Sequence, residues 1–171
     1  IGWADVVVEN FSPGTMAKLG LDYARLSARN PRLVMASGSV FGQTGPLAQT
    51  WGVDGTGGAL SGRTLLTGWP DRAPVIPSAA PYGDVIVPFA MAASVIAGLD
   101  HVRRTGRGCH IDVSMYELCV QQMRAAYRRG DRPDERHLLA LDLRRGVRGG
   151  RATAAALVVV AARGDRERGE T

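Results

Sequence analysis

Ala4-Asp-Val-Val-Val8 and Arg32-Leu-Val-Met-Ala-Ser-Gly38 are two apolar, β-branched runs of strand length, and the segment between them decides the fold. Glu9-Asn10-Phe11 follows the first run. Ser12-Pro13-Gly14 then reads as N-cap and first turn of a short helix through Leu19, which Gly20 ends. Asp22 caps a second helix to about Arg29, with Tyr23 and Leu26 facing inward, and Pro31 breaks it. The order is strand, helices, strand. That is a βαβ unit, and its crossover requires the two strands to be parallel. Open sheets of this kind bind ligands beyond the carboxyl ends of their strands, which singles out Glu9-Asn10-Phe11.

Working outward, the chain from Ser39 to Pro81 is rich in glycine and proline and includes Phe41-Gly-Gln-Thr-Gly-Pro46 and Trp51-Gly-Val-Asp-Gly-Thr-Gly-Gly58. A stretch so long inside a compact protein is functional or disordered, and Trp51, Trp69 and Tyr82 favour an ordered functional surface. Ala59-Leu-Ser-Gly62 finishes a short helix within it. Gly83-Asp84 then opens an apolar helix from Val85 to about His101, with Pro88 near its first turn. Arg103-Arg-Thr-Gly-Arg-Gly108 reads as a basic turn, Cys109-His-Ile-Asp-Val-Ser114 as a strand, and Met115 to Met123 as a helix. The predicted class is α/β, a partial Rossmann-like parallel sheet with helices, followed by an irregular Arg-rich tail.

The chain has 171 residues and 45% hydrophobic content, enough for one globular core. No apolar run reads as long enough to span a bilayer, and no leader peptide is legible. Opening on Ile1, the sequence reads as an internal fragment. The net charge of +5 resides in the tail: up to Met123 nine basic residues balance nine acidic ones, and from Arg124 twelve arginines face seven acids. The first part, 1–123, is therefore neutral, which argues against nucleic-acid binding. The tail, 124–171, reads as disordered or frameshifted, with Tyr127 its one aromatic residue. Cys109 and Cys119 match neither a disulfide framework nor a metal-ligand spacing, so two buried or half-buried thiols in a reducing compartment are expected. His101 and His110 read as surface or structural histidines.

Asp84 has two readings. A carboxylate where a loop meets a helix N-terminus can be an N-cap. It can equally be a nucleophile toward an activated acyl carbon, with helix-end N–H groups steadying the developing oxyanion and Gly83 leaving the approach open.

The stretch from about Ala4 to Met123 resembles the class III CoA-transferases, the family also named for carnitine-CoA transferase and bile-acid-inducible protein F. The resemblance lies in Ala4-Asp-Val-Val-Val-Glu-Asn-Phe-Ser-Pro-Gly14, Asn30-Pro-Arg-Leu-Val34, Phe41-Gly-Gln-Thr-Gly-Pro46, Gly83-Asp84 and Thr105-Gly-Arg-Gly-Cys-His-Ile-Asp-Val-Ser-Met115, in that order. It implies a cytoplasmic, metal-free enzyme that moves CoA from an acyl-CoA donor to a carboxylate acceptor through an aspartyl-CoA thioester, and a homodimer of interlocked subunits. Asp84 falls on the family's catalytic aspartate. Asn10 and Phe11 match positions at the CoA adenine and ribose, and Lys18, the one lysine, matches a basic position facing CoA phosphate. Tyr82, beside the nucleophile, either contacts the acyl group or simply packs, Gly83 is expected to border the substrate, and Gly55 to Gly58 are candidates for a cover that excludes water. The related α-methylacyl-CoA racemases place a histidine where this chain has Val53, so proton transfer there lacks its carrier, and Asp54 reads as a loop or capping residue. Family members run to about twice this length or more, far above an ordinary single domain. A noncatalytic CoA-binding fragment is accordingly the other reading of the same residues.

Overall fold

The computed structural model of the chain describes residues 2–69, 71–75, 81–124 and 157–160. Strand β1 (Val6–Glu9) leads through α1 (Thr15–Lys18) and α2 (Tyr23–Arg29) to β2 (Val34–Ser39). A long connection carrying α3 (Asp54–Leu60) and a short 3-10 helix (Thr64–Leu66) reaches α4 (Tyr82–Thr105), then β3 (Cys109–Ser114) and α5 (Met115–Gln122). A last strand, β4 (Leu157–Val160), follows. The sheet order is β3-β2-β1-β4. β1 and β2 run parallel with Val6 opposite Val34, and β2 and β3 run parallel with Val34 opposite Cys109. The predicted parallel pair is present, and α4 makes a second crossover beside it.

β4 pairs antiparallel with β1, Val8 opposite Val158. The Arg-rich tail thus contributes one strand to the sheet. The rest of it, and with it the expectation of a disordered or frameshifted segment, lies outside the described residues.

Both sheet faces are covered, which is why the strands read as continuous apolar runs. On one face Val7, Leu33 and Met35 pack with Met16 of α1 and Leu26 of α2, joined by Phe11, Leu21 and Tyr23. On the other, Val6, Val34 and Ala36 meet Met91 and Val102 of α4. The alternation Val6-Val7-Val8 between faces is the strand period at work. α4 lies close to the sheet because glycines face it. A Cβ at Gly98 would come within 3.0 Å of Val34 Cγ1, and one at Gly38 within 2.7 Å of Met91 Cε. These two contacts fix the direction of α4: Gly98 sits over the start of β2 and Met91 over its end. The start of α4, two turns before Met91, therefore projects past the carboxyl edge of the sheet.

Several boundaries differ from the sequence reading. α1 starts at Thr15, not after Ser12, because Gly14 takes a left-handed conformation at its N-cap (φ 81°) and Ser12 supplies only a carbonyl, to Thr15 N. α2 keeps its predicted cap, with Asp22 Oδ1 accepting from Arg25 N at 3.1 Å. α4 is longer at both ends than expected. Pro81 is its N-cap and Gly106, at φ 73°, closes it after the first part of the predicted basic turn. Pro88 consequently lies in the second turn, where it has no N–H to donate to the Asp84 carbonyl.

At 24 residues α4 is also long and apolar enough to cross a membrane by length and composition, contrary to the expectation that no run was. Here it packs one face on the sheet through Met91, Gly98 and Val102, while Val85, Phe89 and Ile96 are exposed. Gly55 to Gly58 belong to α3. Gly57 and Gly58 are buried, and a Cβ on Gly57 would meet Val40 and Met115.

Candidate active site at the start of the long helix

Asp84 is the third residue of α4, so the capping reading fails: Pro81 holds the cap position. Its side chain is exposed. Partial burial and then the nearby Asp54 charge push its carboxyl above the ordinary 3.8. Among the described residues no ion pair includes Asp84, which stands at the carboxyl edge of a parallel sheet.

Asp54 is the residue that the sequence reading undervalued. It is the first residue of α3, and its Oδ1 accepts the Gly83 backbone N–H at 2.5 Å, clamping the start of α3 to the start of α4. That N–H is engaged, so it is not one of the free helix-end donors expected for an oxyanion. Gly83 is buried, and the space a side chain would need is already taken: a Cβ would lie 2.5 Å from Asp54 Oδ1 and 2.6 Å from Met115 Cγ. Glycine here serves close helix packing as well as an open approach to Asp84. The signal for Asp54 is its place beside Val53 in Trp51-Gly-Val-Asp-Gly-Thr-Gly-Gly58, an acidic residue at the head of a helix.

Tyr82, on the same turn, lies under Arg63, whose guanidinium carbon stands 4.7 Å from the ring centre. Nothing in the sequence drew attention to Arg63. The buried Cys119 of α5 completes this neighbourhood, its thiol pushed up chiefly by burial. Trp51 and Trp69 are exposed, and Arg72 lies 5.3 Å over the Trp69 ring.

The second group of residues gathers at the end of β1. Glu9 is 2% exposed, and its Oε2 accepts the Phe11 N–H at 2.7 Å, which tightens the turn that presents Asn10 to solvent. Phe11 is half-buried against the α1 and α2 cluster. Lys18 is exposed in the last turn of α1, at the carbonyl end of that helix. Both groups stand at the carboxyl edge of the sheet. Asn10, Phe11 and Lys18 belong to the α1–α2 side, however, and Tyr82, Gly83 and Asp84 to the α4 side.

Two quoted motifs meet structurally. The Asp112 carboxylate accepts the Gln43 N–H through both oxygens (3.0 and 2.9 Å), pinning Phe41-Gly-Gln-Thr-Gly-Pro46 to β3. Phe41 is buried, its ring 5.9 Å from that of Tyr116. His110 is structural, as expected: it stacks on Tyr23 at 5.5 Å and shares a 2.9 Å hydrogen bond with Ser37 Oγ. Cys109 and Cys119 are free thiols, half-buried and buried. Among the described residues no cluster of three or more His, Cys, Asp or Glu side chains has the arrangement of a metal site.

The parallel sheet with its two crossovers thus carries Asp84 at its carboxyl edge. The chain belongs to the CoA-transferase family III, whose model matches residues 1–163 and so extends into the tail. It is 43% identical over 114 residues to the succinyl-CoA–L-malate CoA-transferase alpha subunit of Chloroflexus aurantiacus, covering 67% of this chain and 27% of that one. It is 44% identical over 114 residues to the acetyl-CoA:oxalate CoA-transferase of Acetobacter aceti, covering 67% and 29%. The crystal structure of a CAIB/BAIF family protein from Brucella suis matches with a TM-score of 0.71 at 34% identity, over 75% of this chain and 34% of that one. The chain spans about a third or less of the length of these relatives.

Proposed function

We propose that this chain is the nucleophile-bearing part of an enzyme that moves CoA from an acyl-CoA to a carboxylic acid. The observation that carries the reading is Asp84: an exposed carboxylate in no ion pair among the described residues, on the first turn of α4 next to a residue without a side chain. A nucleophile must be ionised and unencumbered, and a carboxylate outside any ion pair is both once it has lost its proton.

In the proposed sequence an Asp84 oxygen attacks the donor thioester carbonyl, and CoA thiolate leaves to give a mixed anhydride. The thiolate then attacks the aspartyl carbonyl, releasing the donor acid and leaving an aspartyl-CoA thioester. The acceptor carboxylate attacks that thioester to form a second anhydride and free thiolate. Attack of the thiolate on the acceptor carbonyl yields the new acyl-CoA and restores the Asp84 carboxylate. Thioester energy is conserved and no metal is called for. Asn10, Phe11 and Lys18 hold the nucleotide end of CoA, while Tyr82 and Gly83 border the acyl group. The names of the relatives, acting on succinyl-CoA with malate and acetyl-CoA with oxalate, support CoA exchange between acids. The same reading makes the enzyme cytoplasmic and homodimeric. Alpha and beta subunits named among the relatives support an assembled state.

The test is to incubate the chain with acyl-CoA, add hydroxylamine and map the hydroxamate by peptide mass. A modified Asp84 that disappears in D84N is expected. CoA retention without any adduct would instead identify a noncatalytic CoA-binding fragment. The racemase-like alternative predicts exchange of the α-proton of a methylacyl-CoA, and Val53 provides no group for it.

A further inference from the structure

Arg63 is a held charge that forms no ion pair among the described residues. Its backbone is fixed on both sides, with N–H donating to Ser61 Oγ at 3.4 Å and carbonyl accepting from Thr67 Oγ1 at 2.9 Å. The guanidinium stands over the Tyr82 ring, and one terminal nitrogen closes against Gly58, where a Cβ would come within 2.8 Å of it. Beside it lies the Cys119 thiol, on which the Ser61 hydroxyl and the Asp54 charge also act, and Asp54 forms no ion pair with Arg63. The Nε atom is buried and has no hydrogen-bond partner among the described residues. The four ion pairs among those residues involve Arg25, Arg72, Arg103 and Arg104, and none includes Arg63. Nor does any ion pair join Arg63 to Asp84 among the described residues.

A half-buried guanidinium with a donor left unused is costly to keep unless something anionic completes it. Tyr82 places this one at the turn that carries Asp84. We propose that Arg63 is a specificity-determining residue that receives the distal carboxylate of a small dicarboxylic acid, whose other carboxyl group reacts at Asp84. The assignment rests on the CoA-transfer reading of Asp84 and adds the class of acid. The planar guanidinium suits a carboxylate through two parallel N–H bonds, which an ammonium cannot reproduce. A monocarboxylic acid of equal length would leave both Arg63 and its own methyl end unsatisfied.

The experiment titrates the 171-residue chain with succinate and butyrate, then with glutarate and pentanoate, following amide shifts by NMR. Wild type is expected to bind each dicarboxylate at least about ten-fold more tightly than its monocarboxylate match. R63Q should bring the ratio to within about two-fold, and R63K, which keeps charge and loses the fork, should retain an intermediate preference. A wild-type ratio near one, or a preference that survives in R63Q, overturns the assignment. If R63Q does not fold, R63K decides: an undiminished preference overturns the proposal. The hydroxylamine trap on wild type keeps the two readings apart. A dicarboxylate preference without a trapped adduct leaves the Arg63 site standing and removes the CoA-transfer reading. A trapped adduct without the preference does the reverse.

Discussion

Asp54 Oδ1 accepts the Gly83 N–H at 2.5 Å, and the same carboxylate raises the pKa of Asp84 one residue further on. One side chain thus ties down the start of α4 and, after burial, adds to the upward push on the Asp84 carboxyl. The two roles separate by substitution. In D54N the acceptor oxygen remains and the charge goes, so the Asp84 carboxyl should titrate lower than in wild type, as read by carbon-13 NMR. In D54A the bond is lost as well, and stability to urea should fall by about 1.5–3 kcal/mol.

Because the Asp84 carboxyl is held above 3.8 in the fold, the native state favours its protonated form. That contribution to stability is fully present below 3.8 and disappears as pH rises through the raised value, leaving the ionised group destabilising at neutral pH. D84N should therefore unfold at a higher urea concentration than wild type at pH 7. The difference should vanish in titrations below pH 3.8. A lower midpoint for D84N at pH 7 would contradict the account.

Gly83→Ala puts a methyl group where Asp54 Oδ1 and Met115 Cγ already stand, at 2.5 and 2.6 Å. Neither neighbour can simply swing aside: Asp54 is tied to the Gly83 N–H and Met115 is buried. Overpacking of this kind costs about 1–3 kcal/mol, and the thermal midpoint should drop accordingly. The shift in the NMR spectrum should centre on α3, α5 and the start of α4, with β1 and α2 unaffected.

Glu9 is the buried carboxylate at the end of β1, and the Phe11 N–H is its hydrogen-bond partner at 2.7 Å. E9A should cost about 1–3 kcal/mol by leaving that donor unsatisfied. Hydrogen exchange at the Phe11 amide should accelerate. E9Q keeps an acceptor oxygen and should protect the amide nearly as well. Acyl-CoA affinity should follow the same order if Asn10 and Phe11 hold the nucleotide end.

The parallel β1–β2 pair, the Asp22 cap, the strand Cys109–Ser114 and the helix after it were legible because each depends on local chemistry. β-branched runs bounded by turn residues, and an aspartate three residues before an unpaired helix N–H, are visible without knowing what lies opposite. The glycine-rich segment that became α3 was legible only in its last residues. Asp54-Gly-Thr-Gly-Gly-Ala-Leu60 has poor helix propensity, and its helix is settled by packing of Gly57 against Val40 and Met115, distant in the chain. Helix α4 was misjudged at its start because Pro81 can begin a helix as readily as end a loop.

The candidate site divides the same way. The sequence by itself determined that an aspartate after Gly83 lies at the head of the long apolar helix, and its motifs sufficed to point to the family. Only the tertiary structure decided what surrounds that aspartate. Asp54 reaches Gly83 across 29 positions, and Arg63 comes to rest over Tyr82 without an ion pair among the described residues. Hydrogen bonds and charges act through space within a few ångströms, and only the folding of α3 against α4 brings these groups within that range.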